Sequence, residues 1–115
     1  AVMHRRSESP SGAGCRVTWF RMEPAAVDRV LDAYRSVMVP RMEDYPGFCS
    51  VSLFLDREQG LAASAVVFED RDCMEASRTH ARASRDDFAR LMKVAIIDAD
   101  EFDLVLAHLR VPETV

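Results

Sequence analysis

Hydrophobic and polar positions along this chain change period several times, and each change marks an element. Over Phe48–Asp56 apolar side chains alternate with serine: Cys49, Val51, Leu53 and Leu55 on one side, Ser50 and Ser52 on the other. That period of two predicts a strand. Leu61–Phe68 reads as a second strand and closes on the unbroken apolar run Ala65-Val66-Val67-Phe68; the intervening Arg57-Glu58-Gln59-Gly60 is a hairpin-length turn with glycine. Residues 15–22, CRVTWFRM, are β-branched and aromatic, with Val17 and Trp19 on one side and Thr18, Phe20 and Met22 on the other. They predict a strand with little polar face. Residues 102–111, FDLVLAHLRV, predict a last strand, ended by Pro112.

Between these strands the period lengthens. Val27, Val30, Leu31, Tyr34 and Met38 recur at helical spacing, opposite Asp28, Arg29, Asp32 and Arg35. Pro24 suits a first turn, Pro40 is expected to kink or end the helix, and Tyr45-Pro46-Gly47 stops it after a turn carrying Met42. A second helix is predicted over residues 72–95, capped by Asp70 or Asp72 and broken near Ala83-Ser84-Arg85. Its inward residues are Met74, Ser77, Ala81, Phe88, Leu91 and Met92. Asp98-Ala99-Asp100-Glu101 reads as a solvated turn. Residues 1–14, rich in Ser, Pro, Gly and charge, read as a flexible leader before a single domain at 15–115.

The resulting order is strand, helix, strand, strand, helix, strand. It predicts an α+β fold of ferredoxin-like βαββαβ type, a four-stranded antiparallel sheet with two helices on one face. The other sheet face is also apolar, and one helix layer cannot cover it. A homodimer formed sheet against sheet is the expected consequence.

Composition narrows the partners. The 115 residues carry 49% apolar and 30% charged side chains with a formal net charge of −4, an ordinary globular balance. Arginines are frequent but each has Asp or Glu close in sequence, so no basic stripe forms and nucleic acid is not expected. No apolar run reaches the roughly 18 to 20 residues of a membrane span. Without the apolar core of a signal peptide, a cytoplasmic location is the default expectation. Three cysteines with no CxxC pair point to neither a disulfide framework nor a zinc site. Cys73, in a first helical turn, is expected to have a lowered thiol pKa.

The candidate chemistry gathers where the Ala65–Phe68 run passes into the second helix. His80 is the leading catalytic candidate, because an imidazole can take a proton from a phenol. Its bland reading is a helix residue paired with a carboxylate. Tyr34 could orient a substrate oxygen. Trp19, Met38, Phe68, Phe88 and Met92 belong to the aromatic and methionine group between sheet and helices, mostly core but able to wall a pocket for a flat apolar ligand. His108 reads as structural or at the dimer interface. No metal-ligand spacing, phosphate loop or nucleophile elbow is present.

Tyr45-Pro46-Gly47-Phe48 entering the second strand, Val67-Phe68-Glu69-Asp70, Glu75-Ala76, and Thr79-His80 with Ser84 beyond resemble the antibiotic biosynthesis monooxygenase-like family. The resemblance covers residues 15–111. It implies a dimeric α+β barrel with a pocket between the sheet and helices of each subunit. It also implies a cofactor-independent monooxygenase, an oxidoreductase acting on an aromatic or quinone-like molecule, with His80 as base or orienting group and Trp19 and Tyr34 at the substrate. Haem-degrading members of the family use an asparagine, and this chain has none, so haem degradation is the less expected outcome. The alternative is a non-catalytic dimeric small-ligand-binding or stress-related protein of the same fold.

Overall fold

The computed structural model of the chain describes the backbone of residues 2–5 and residues 12–108. The strands are β1 (Val2–Arg5), β2 (Gly14–Arg21), β3 (Phe48–Asp56), β4 (Leu61–Phe68) and β5 (Ala95–Asp103). They form one antiparallel sheet in the order β1-β3-β4-β2-β5. Without β1 this is the four-stranded ferredoxin-like sheet that the hydrophobic pattern predicts. β1 is an addition: Val2 pairs with Leu53 and Arg5 with Ser50, so part of the stretch read as a leader is an edge strand on β3. Backbone pairing supplied by β3 outweighs the weak local signal there. The rest of that expectation, residues 1 and 6–11, lies outside the described residues.

The β3–β4 hairpin is closed by a residue only glycine can supply. Gly60 has φ +67°, donates its N–H to Asp56 O at 2.9 Å and accepts from Met22 N at 2.8 Å. A Cβ on Gly60 would lie 2.0 Å from Met22 O, so the turn also fastens the end of β2 to the hairpin.

One face of the sheet is covered by α1 (Val27–Ala33), α2 (Val39–Glu43), α3 (Arg71–Ala76) and α4 (Arg78–Met92). α1 and α2 are not separated by the kink expected at Pro40. Residues 34–38 form a wider turn instead, with Val39 N–H bonded back to Tyr34 O. The turn accommodates a proline that lacks an N–H and leaves Tyr34, Met38 and Met42 all buried against the core. Asp70 caps α3 as expected, accepting from Cys73 N at 2.7 Å. The break in the second helical region falls at Ser77 rather than near Ala83-Ser84-Arg85, because the buried Ser77 hydroxyl donates to Met74 O at 2.8 Å and draws in the end of α3. Leu91, expected inward, is 78% exposed.

The last strand is displaced relative to its prediction. β5 runs over Ala95–Asp103, so Asp98-Ala99-Asp100-Glu101 is strand and not turn, while residues 104–108 form no strand and 109–111 lie outside the described residues. Asp disfavours strands locally, but here each acid is paired against β2 in full register, Asp98 with Trp19 and Glu101 with Arg16. A register shift opposite Trp19/Phe20 leaves Ile97 as the extra residue.

Candidate functional site

Side chains of β2 at Arg16, Thr18 and Phe20 and of β4 at Ser64 and Val66 point toward the helices, and a chamber of about 50 Å³ remains between the layers. Its roof is Tyr34, Met38 and Met42 on one side and Ala81, Arg85, Phe88 and Ala89 of α4 on the other. The wall is almost entirely apolar. Its polar atoms come from the Tyr34 hydroxyl with Ser64, Thr18 and Tyr45, and from two guanidinium groups.

Tyr34 is fixed in this wall. Its ring stacks on Phe20 (centroids 6.3 Å apart) and meets Phe88 edge-on at 5.9 Å. Its hydroxyl hydrogen-bonds the Ser64 side chain and donates toward Met42 Sδ at 4.0 Å. Burial pushes the phenol up to about 12, against the Ser64 hydrogen bond, which favours the phenolate. The group is therefore a proton donor in hydrogen bonds at any physiological pH.

Arg16 is a buried cation with all three guanidinium nitrogens hydrogen-bonded. It pairs with Glu101 at 3.0 Å, its side chain only 6% exposed, and donates to Ser77 Oγ at 3.2 Å and to Met74 O at 2.7 Å. Its guanidinium carbon lies 5.4 Å from the centroid of the Phe68 ring. Glu101 also takes Arg78. The Arg78 and Arg16 guanidiniums together hold the Glu101 carboxyl below the usual carboxylate range, outweighing its partial burial.

Arg85 lines the same chamber without such partners. Its Nε is buried and has no hydrogen-bond partner among the described residues. Beyond it opens a groove of about 410 Å³, lined by Arg16, Arg78, Arg82, Arg85, Thr79, Ala99, Asp100 and Glu101. Chamber and groove share Arg16 and Arg85 as walls. The tertiary structure thus gathers four arginines on one surface, where sequence neighbours alone point to locally neutralised charge.

The predicted site residues separate into three groups. Tyr34, Met38 and Phe88 meet at the chamber. Phe68 is fully buried beneath Arg16 and stacks on Tyr45 at 6.4 Å, and Met92 packs at the edge of the core. His80 and Trp19 do not reach the chamber. His80 is exposed on α4, one position off the stripe Ala81, Arg85, Phe88 and Ala89, which in a helix is a rotation of about 100°. Trp19 alternates with Thr18 and Phe20 and so lies on the opposite sheet face. His108 is exposed beyond β5. The expected lowering of the Cys73 thiol is reversed: the hydrogen bond with Asp70, burial and the charges of Asp70, Glu69 and Asp72 push it up. Among the described residues no group of three or more His, Cys, Asp or Glu could hold a metal ion.

Arg16, Arg85, Thr18 and Ser64 were not singled out by sequence reasoning. A usable signal existed for two of them: Arg16 has the same strand parity as Phe20, and Arg85 the same helical phase as Ala81 and Phe88. A charged residue on an apolar stripe is a stronger indicator than a histidine beside it.

The ferredoxin-like fold is shared with solved antibiotic biosynthesis monooxygenase proteins. A monooxygenase of Streptomyces coelicolor solved in complex with nanaomycin D matches with a TM-score of 0.60 at 12% identity, over 90% of this chain and 94% of that one. A cofactor-independent oxygenase of Streptomyces nogalater matches with a TM-score of 0.53 at 18% identity, over 90% of this chain and 100% of that one. The resemblance read from the sequence holds at the level of fold. In sequence, the chain is 41% identical over 115 residues to an uncharacterised protein of Mycobacterium tuberculosis, which is 100% of this chain and 51% of that relative. The chain spans about half the length of the curated relatives it matches. No family model matches. No helix among the described residues is long and apolar enough to cross a membrane.

Proposed function

We propose that this protein is a cofactor-independent monooxygenase of a small aromatic or quinol-type molecule whose reacting edge enters the Tyr34 chamber. The observation that carries the reading is an apolar, helix-roofed chamber with one fixed phenolic donor, in a fold shared with oxygenases of this kind. The chamber's 50 Å³ is far below the ~300–1,000 Å³ of a drug-sized site. At the usual ~10–15 Å³ per water it has room for about three to five water-sized molecules. The reacting edge and dioxygen fit there, and the body of the substrate lies in the adjoining groove.

No carboxylate or imidazole of the described residues lines the chamber, so the reading requires a substrate that is itself acidic, as the central methylene of an anthrone is. Loss of its proton to water at the groove leaves an oxyanion that accepts a hydrogen bond from the Tyr34 hydroxyl. The carbanion form gives its electrons to dioxygen, and the C–O bond formed yields a peroxide. Elimination of one water from that peroxide completes the conversion of CH2 to C=O. One oxygen atom ends in the product and the other in water.

Oxygen uptake with anthrone- and quinol-type substrates tests the proposal. Tyr34→Phe should lower kcat about 100-fold, the scale of one lost oxyanion donor, while retaining the wild-type denaturation midpoint within about 1 kcal/mol. Wild-type uptake that survives in Tyr34→Phe would remove the role given to Tyr34. The lack of a base in the chamber also favours a second reading, a non-catalytic small-ligand-binding protein, which no uptake with any such substrate would support.

The same proposal includes a homodimer through the uncovered sheet face. Phe54, Ile97 and Phe102 are 54%, 52% and 44% exposed there, beside half-buried Val17 and Trp19. Sedimentation should give twice the monomer mass, and Trp19→Asp should shift it toward monomer. A wild-type monomer at micromolar concentration would sink this part.

A further inference from the structure

Arg85 sits at the boundary between two spaces of opposite character. On one side is the apolar chamber, which no carboxylate of the described residues lines, and on the other the groove, where Asp100 and Glu101 stand among four arginines. Of the four groove arginines, Arg16 and Arg78 are committed to Glu101. The Asp100 Oδ1 accepts from Glu101 N at 2.8 Å. Asp86, beside Arg85 on α4, is exposed. Arg82 and Arg85 therefore remain without an ion-pair partner among the described residues, and the Arg85 Nε is enclosed as well as unbonded.

Such an arrangement has a cost. A buried guanidinium N–H with no acceptor forfeits the hydrogen bond it had in water. Burial works against the Arg85 cation, as do the nearby Arg16 and Arg82 charges, and the Asp86 and Tyr45 charges offset them only in part. One incoming anion would relieve all of these at once. A guanidinium fork matches a carboxylate with two parallel hydrogen bonds. The apolar chamber directly behind Arg85 asks for an apolar edge on the same molecule, which a free inorganic anion does not have.

We propose that the ligand of this site is an organic acid, its carboxylate held by Arg85 with Arg82 at the neck and its ring directed into the Tyr34 chamber. The proposal rests on the reading of the chamber as the ligand site and adds the substrate class. Arg85 is a binding and specificity residue, since recognition of a buried charge rejects the neutral analogue far more strongly than an apolar wall rejects a change of shape.

Binding alone, without turnover, provides the test. Benzoate and its neutral isostere benzamide are titrated by calorimetry into the wild-type protein, Arg85→Gln, Arg85→Lys and, as a control for surface charge, Arg57→Gln. Arg57 pairs with Asp28 and lines neither space. Benzoate should bind about 10- to 100-fold more tightly than benzamide to the wild type, the range for hydrogen bonds to a charged group. Arg85→Gln should abolish that preference, so that the two probes bind it equally. Arg85→Lys should restore part of it, and Arg57→Gln should change nothing. Equal affinity of the wild type for the two probes, or a preference that survives in Arg85→Gln, overturns the anion anchor while the chamber stands. Binding of neither probe overturns the anchor together with the chamber as a ligand site. Oxygen uptake is measured separately, so a failed oxygenase reading does not mask either result.

Discussion

Two arginines border the same chamber, and they occupy opposite situations. Arg16 stands on β2 with its cross-strand partner Glu101 on β5, and it also donates hydrogen bonds to the α3–α4 junction. Arg85 stands on α4 with a buried nitrogen that bonds nothing described. The first ties three parts of the fold together, whereas the second leaves a charge uncompensated where a ligand would enter. A buried cation marks structure when its acceptors are built in, and marks a site when they are missing.

The sharpest way to break this comparison is to remove each side chain and measure chemical denaturation. Arg16→Ala should lower stability by about 3 kcal/mol, because it removes the buried bonds to Glu101, Ser77 and the Met74 carbonyl at once. Arg85→Gln should stay within about 0.5 kcal/mol of the wild type, since it removes a repelled and unbonded charge as well as a side chain. Equal losses in the two variants would contradict the assignment of different roles.

A smaller effect should appear in acid. Glu101 has a folded pKa below its unfolded value of about 4.3. Between the two values the unfolded chain binds more protons, so the stabilisation is present above the unfolded pKa and is lost as pH falls through the folded one. Denaturation midpoints of the wild type should therefore decline, as pH falls below about 4.3, more steeply than those of Glu101→Gln. Parallel slopes would show that the Arg16–Glu101–Arg78 cluster does not set the acid limit.

How much of this was legible beforehand follows the same division. Alternation in Phe48–Asp56 and the 3.6-residue stripe from Val27 to Met38 are local periodicities, and they appear as β3 and as the first helical layer. The Asp70 cap and the glycine turn at Gly60 are likewise readable from a few adjacent residues. β5 was misplaced by several residues because an acidic strand is stabilised by its partner β2 and not by its own propensity. Tyr34, Met38 and Phe88 were recognisable as pocket walls because they sit on apolar stripes. His80 drew attention through its chemistry, but one step of helical phase carries it into solvent.

By itself, then, the sequence determined the kinds of element, their order and the sheet-plus-helix architecture, since these depend on periodicities within about ten residues. Only the tertiary structure decided which charges meet. Arg16 and Glu101 are 85 positions apart and join through strand register, while Arg78, Arg82 and Arg85 of α4 line one groove with Arg16. Whether a guanidinium is satisfied or left open is a property of that convergence, and no neighbour in the chain records it.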